Sequence, residues 1–211
     1  EDGRLPTSFR LIKVLPGANS GDVVVAERTG WDSPTNLPTA AMIEVLGRDT
    51  DPGVDILAVI HRYSLPLEFP DAVLREADAI PEVISPEEIE RRADWRESEV
   101  LTIDPEDAKD FDDAICVTER PDGTWELAVH IADVSHYVKA GSELDREARK
   151  RGNSVYLADR VIPMLPEKLS NGVCSLKPGV ERLTHAAILE FDDKGKFKKA
   201  RFVSAVIRSH R

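Results

Sequence analysis

The chain of 211 residues carries 28 lysines and arginines against 39 aspartates and glutamates, a formal net charge of −11, with 41% apolar and 32% charged residues. That composition excludes a disordered chain, and no apolar run is long enough for a transmembrane helix. The length suits one large domain or two small ones.

Residues 1–70 read as short strands with turn-rich loops. "FRLIKVL" (9–15), "DVVVAERTGW" (22–31) and "AAMIEVLG" (40–47) are β-branched and partly alternating, separated by "PGANSGD" and "DSPTNLPT". The period changes in "DPGVDILAVIHRYSLP" (51–66), where Val54, Leu57, Ile60 (or His61) and Leu65 fall three to four apart. A helix stopped by Pro66 is expected there. Several strands and one helix suit a small β-barrel of the OB type, with a β-sandwich fragment as the alternative.

Residues 71–95 form the clearest helical stretch, an expected exposed connector between domains. In "SPEEIERRADW", Ser85 can cap, Pro86 takes the first helical position and Glu88 completes a capping box. A second domain is expected over 96–211. "SEVLTI" (98–103) reads as a strand, and the Asp-Gly turn of "RPDG" joins "AICVTE" to "TWELAVHIAD" as a hairpin. "SELDREARKRG" (142–152) reads as a helix capped by Ser142 and ended by Gly152. A second hairpin spans "DDKGK", and its last strand leaves an edge that nothing later in the sequence covers. Cys116 and Cys174 belong to no CxxC or Cys/His cluster and read as two buried thiols in a reducing cytoplasm. "EDGRLPTSFR" has no basic region followed by an apolar one, so no secretory signal is expected.

Chemistry concentrates in "LTIDPEDAKDFDDAI" (101–115). From Asp104 to Asp113 it holds five aspartates and a glutamate against one lysine. Charges of one sign this close destabilise a fold unless a cation sits among them, so the stretch is either a solvated acidic loop or a metal site. An EF-hand fails: counted from Asp104, Lys109 falls where glycine is needed and Ile115 where a bidentate glutamate belongs. Asp104, Asp110, Asp112 and Asp113, at strand ends around a short loop, offer hard oxygen donors of the kind Mg²⁺ or Mn²⁺ takes. Carboxylate-held Mg²⁺ commonly serves phosphoryl chemistry. Charge is also uneven: residues 96–138 carry 3 basic against 12 acidic groups, and residues 139–211 carry 16 against 9. An acidic centre followed by a basic third matches a metal site beside a polyanion track, or a mixed solvated surface.

The segments "TIDPEDAKDFDDAI", "VHIADVSHYVKAGSELDREARKRGNSVYLADRVIPMLPEKLSNGVCSLKPG" and "VIRSH" resemble the catalytic domain of the ribonuclease II/ribonuclease R (RNB) family, with "HIADVSHYV" and "GVDILAVIHRYSLP" nearer its ribonuclease R branch. The resemblance implies a mainly β, α+β fold. A cold-shock-type OB barrel (1–70) and a helical connector (71–95) would precede the N-terminal portion of a mixed α/β RNB domain (96–211). It implies a cytoplasmic, monomeric, processive 3′→5′ exoribonuclease that hydrolyses single-stranded RNA to nucleoside 5′-monophosphates. Asp104, Asp110, Asp112 and Asp113 match the family's active-site aspartates, which hold one or two Mg²⁺. Tyr156 matches a tyrosine that stacks on a base near the RNA 3′ end, although a lone tyrosine in an apolar stretch otherwise reads as core. Arg160 and Lys109 are candidates for RNA phosphate contacts, as are Arg149, Lys150 and Arg151. Asp133 is a candidate to support the metal ligands, whereas His130, His136 and Tyr137 read as structural. Family members continue beyond "VIRSH" with an essential arginine and further RNA-binding parts. The chain is therefore expected to be a fragment, inactive or weak alone and in need of the C-terminal half. A non-catalytic RNA-binding module and, more remotely, a small-molecule phosphohydrolase are the other readings.

Overall fold

The structure, a computed structural model, describes residues 8–33 and 35–210. The chain divides into two compact units, one comprising residues through Leu67 with Tyr156–Ile162, the other Glu68–Val155 with Pro163 onward.

In the first unit, strands β1 (Arg10–Lys13), β2 (Asp22–Gly30) and β3 (Thr39–Arg48) form a sheet in the order β1-β3-β2, with β1 parallel and β2 antiparallel to β3. Among the described residues this is three strands, fewer than a closed OB barrel has. Helix α1 (Val54–Arg62) follows, burying Val54 and Ile60 as its period requires. It ends before the expected Pro66 because Ser64 turns into the left-handed region (φ 51°), which closes the last turn early.

The second unit begins with α2 (Asp71–Asp78) and α3 (Pro86–Glu90). The expected exposed connector is instead packed here: Val73 and Ala77 of α2 lie in the core. Polarity misleads because only one stripe of a short helix needs to be apolar. Ser85 caps α3 by accepting a bond from the Glu88 amide (3.2 Å). The Glu88 carboxylate does not complete the box. It turns to Arg91 and Arg92, whose charge offers a stronger bond than a neutral amide.

Strand β4 (Ala93–Trp95) leads to β5 (Asp113–Glu119), β6 (Trp125–Ala132), β9 (Glu181–Phe191) and β10 (Phe197–Arg208), which form a five-stranded sheet in the order β4-β10-β9-β6-β5. The ribbon β7 (Val155–Tyr156) and β8 (Val161–Ile162) stands apart. The expected open edge of β10 is covered over Ala205–Ile207 by β4, in parallel. The expected strand over 98–103 reduces to one bridge between Leu101 and Ile115. In the first hairpin Gly123 takes φ 78°, as the Asp-Gly turn demands.

One sheet face is lined by small side chains, among them Ala114, Ala128, Ala186 and Ala205, so a covering layer can approach closely. Val73, Leu144, Leu169 and Leu176 fill that layer. Leu144 comes from α5 (Glu143–Arg151), capped by Ser142 and ended by Gly152 at φ 82°. A four-residue helix, α4 (Val134–Tyr137), leaves the end of β6. On the opposite face Ile131, Val117, Phe197 and Phe202 are exposed. Cys116 and Cys174 are buried free thiols. Among the described residues no helix is long and apolar enough to cross a membrane.

Candidate metal centre

The aspartates occupy a loop whose ends are pinned together. Leu101 and Ile115 exchange both backbone bonds at 2.8 Å, so the chain from 102 to 114 leaves and re-enters the sheet at one place. Within it a turn closes between the Ala108 amide and the Pro105 carbonyl (3.0 Å). The second half is then fastened at several points. The Asp112 carbonyl accepts from the Ala132 amide (2.9 Å), and the Phe111 carbonyl from the Leu176 amide (2.8 Å). Ser175, fully buried, donates its hydroxyl to the Lys109 carbonyl (2.7 Å) and accepts from the Phe111 amide (3.1 Å). Asp113 opens β5 opposite Ile131.

The four carboxylates feel one another. Burial, followed by repulsion from Asp110, Asp113 and Asp104, raises the Asp112 carboxyl above the ordinary carboxylate range. Burial also raises Asp104, with Asp113 and Asp110 adding to it. Asp112 and Asp113 each retain an exposed side-chain surface, so the cluster is open to a ligand. Among the described residues no three His, Cys, Asp or Glu side chains stand in an arrangement that could hold a metal ion. The loop gathers the carboxylates within electrostatic reach of one another without forming a finished cage. As a donor set they fit a hard divalent cation, being oxygen donors only, in a cluster whose charge raises the cost of ionisation.

Lys109 is exposed beside this cluster. Tyr156, 64% exposed, and Arg160 belong to the other unit, on the β7–β8 ribbon and its turn. Arg160 pairs with neighbouring Asp159 (2.8 Å), and that carboxylate is held below its usual range by the bond.

Other candidates have structural employment. Arg151 is buried: its guanidinium lies 3.6 Å from the Phe69 ring centroid and bonds Glu147 and the carbonyls of Glu68 and Pro163. It is thereby excluded as an RNA contact. Arg149 and Lys150 are paired with Asp145 and Glu147. The Asp133 side chain is taken by Arg92 (2.7 Å), Ser135 (2.7 Å), the His136 amide (3.0 Å) and His185 (3.1 Å), not by the aspartate loop. His130 is fully buried, with Nδ1 3.1 Å from the Thr184 hydroxyl and its ring edge-on to Trp95.

Sequence reasoning missed Ser175 and Arg92. Ser175 stands in the quoted run "NGVCSLKPG", a lone hydroxyl among Val173, Cys174 and Leu176, all buried. A small polar residue inside an apolar run was the available signal. Arg92 carried no signal beyond its helical spacing from Glu88.

The described geometry is an open cluster of carboxylates at one end of the five-stranded sheet. Residues 92–211 match the RNB domain and residues 2–70 the Cold shock domain. The chain belongs to the RNB family of ribonucleases. It is 49% identical over 197 residues to ribonuclease R of Thermotoga maritima, covering 92% of this chain and 28% of that one. Two structures of ribonuclease R from Mycoplasma genitalium match at 33% identity and TM-score 0.86 over 96% of this chain. One is in complex with double-stranded RNA and the other with ribose-methylated single-stranded RNA. The chain covers 36% and 32% of those two. It thus spans about a third or less of the length of these relatives. The expected fold class, an OB-type cold-shock-like unit followed by part of a mixed α/β RNB domain, is the one found.

Proposed function

We propose that the chain contributes the carboxylate half of the active site of a 3′→5′ exoribonuclease, which hydrolyses single-stranded RNA to nucleoside 5′-monophosphates. The observation that carries this reading is the pinned loop 102–114. It brings Asp104, Asp110, Asp112 and Asp113 within electrostatic reach of one another, and burial together with their mutual repulsion raises the carboxyls of Asp104 and Asp112. A divalent cation, Mg²⁺ or Mn²⁺, would supply polarisation of a phosphoryl oxygen and activation of water at neutral pH. The four aspartates would hold it, and its charge would offset their repulsion. Lys109 would meet an RNA phosphate, as would Arg160 once exchanged from Asp159. Tyr156 would stack on a base near the 3′ end, a contact that tolerates any sequence.

The remaining half of the catalytic domain would supply the positive charge that stabilises the transition state, so the chain alone is weak or inactive. The test is a degradation gel with 5′-labelled single-stranded RNA and Mg²⁺, run with and without the C-terminal half of a ribonuclease R catalytic domain. The expected result is a ladder shortening from the 3′ end when the two parts are combined, abolished by Asp112→Asn and by EDTA. Cleavage untouched by Asp112→Asn would refute the assignment of the aspartates. RNA binding with no cleavage in any combination would point to a non-catalytic RNA-binding module.

A further inference from the structure

Ser175 is separated from the aspartate loop by more than sixty residues, yet its hydroxyl touches both sides of Asp110. It donates to the carbonyl of Lys109, the residue before, and accepts from the amide of Phe111, the residue after. The next residue, Leu176, donates its amide to the Phe111 carbonyl, so Ser175 holds both peptide groups flanking Asp110 and Leu176 holds the one after them. The support is itself fixed. Ser175 and Leu176 are fully buried, and the Ser175 carbonyl accepts from Arg182 Nε at 2.7 Å. A hydroxyl is the smallest side chain that can donate and accept at once, and alanine here would leave both loop groups unmatched.

We propose that Ser175 is a positioning residue for the cation site, fixing the backbone of Asp110 so that the aspartates can close on one ion. This rests on the reading of the aspartates as cation ligands. An acidic loop left free would have to spend its conformational entropy at the moment of binding. Ser175 removes part of that cost beforehand. Groups that orient metal ligands are commonly worth ten- to a hundredfold in affinity when lost.

Mn²⁺ binding to the whole chain, followed by electron paramagnetic resonance, tests this together with amide exchange by NMR. In Ser175→Ala the Phe111 amide exchanges faster while the Ile188 amide in β9 is unchanged. Mn²⁺ affinity falls by about tenfold or more. Ser175→Thr, which keeps the hydroxyl, retains near wild-type affinity. Ile188→Val, a core change remote from the loop bonds, lowers stability without lowering affinity, separating positioning from general loosening. Wild-type affinity in a folded Ser175→Ala with a freed Phe111 amide would overturn the proposal. Failure of the cation reading looks different: the wild-type chain would bind no Mn²⁺, or Asp112→Asn would bind as well as wild type, and the role of Ser175 would fall with it.

Discussion

Asp112 illustrates a residue that costs the fold something. Burial and three neighbouring carboxylates disfavour its charge, so neutralising it should relieve the cation-free chain. Asp112→Asn is expected to raise stability by about 1 kcal/mol or less, because its exposed surface screens part of the repulsion. Mg²⁺ should raise the melting temperature of the wild-type chain and leave Asp112→Asn unchanged, as expected for a ligand that binds only the folded state. Thermal unfolding with and without Mg²⁺ checks both. His130 offers a separate, pH-dependent case. Burial pushes its imidazole down to about 4 from an ordinary 6.5. The unfolded chain takes up a proton near pH 6.5 that the folded chain refuses until about pH 4. The contribution is therefore full above 6.5 and is lost as pH falls through that window. Between pH 7.5 and pH 5 it amounts to about 2 kcal/mol. Urea unfolding at the two pH values should show this loss in the wild type and lack it in His130→Gln. The aspartates were legible in the sequence because they lie within ten residues of one another. Ser175 was not, because its role exists only once the chain brings it back against the loop.

At the scale of elements, the helical stretch 71–95 is where pattern and packing diverge most. Its polarity suggested an exposed connector, yet it ends in a buried ionic network. Arg92, with a side chain only 6% exposed, lies between Glu88 (2.7 Å) and Asp133 (2.7 Å). Burial alone would weaken the charge of Arg92, but the bonds it donates to the two carboxylates outweigh it and raise its pKa. Arg92→Met should destabilise the chain by about 3 kcal/mol, since it removes the one buried cation shared by Glu88 and Asp133 and leaves Glu88 with the exposed Arg91. The denaturant midpoint measures this, and a shift well under 1 kcal/mol would mean that water reaches the network. The same stretch explains the β10 edge. Strand β4 is three residues long and pairs in parallel with a partner more than a hundred positions away, a pairing that no local period announces. The hairpins and the helix 142–152 were legible because Gly123, Ser142 and Gly152 act within a few residues of where they stand.

For the whole molecule, family membership reached further than periodicity did. Alternation and turns defined the strands, while the joining of OB-type and RNB parts emerged from long motifs and was found in the fold. The grouping of Tyr156–Ile162 with the N-terminal residues had no signature in the sequence, since the ribbon lies far along the chain from the strands it accompanies. The central claim is that the carboxylates of the 102–114 loop take a divalent cation. It is tested most directly by titrating the ¹⁵N-labelled chain with substoichiometric Mn²⁺ and mapping paramagnetic line broadening. The account predicts early loss of the amide signals from Asp104 to Asp113, and of Ser175 and Ala132 bonded to them, with Asp112→Asn abolishing the effect. Broadening centred elsewhere, such as the acidic turn at Asp192 and Asp193, or spread evenly over the acidic surface, would contradict it.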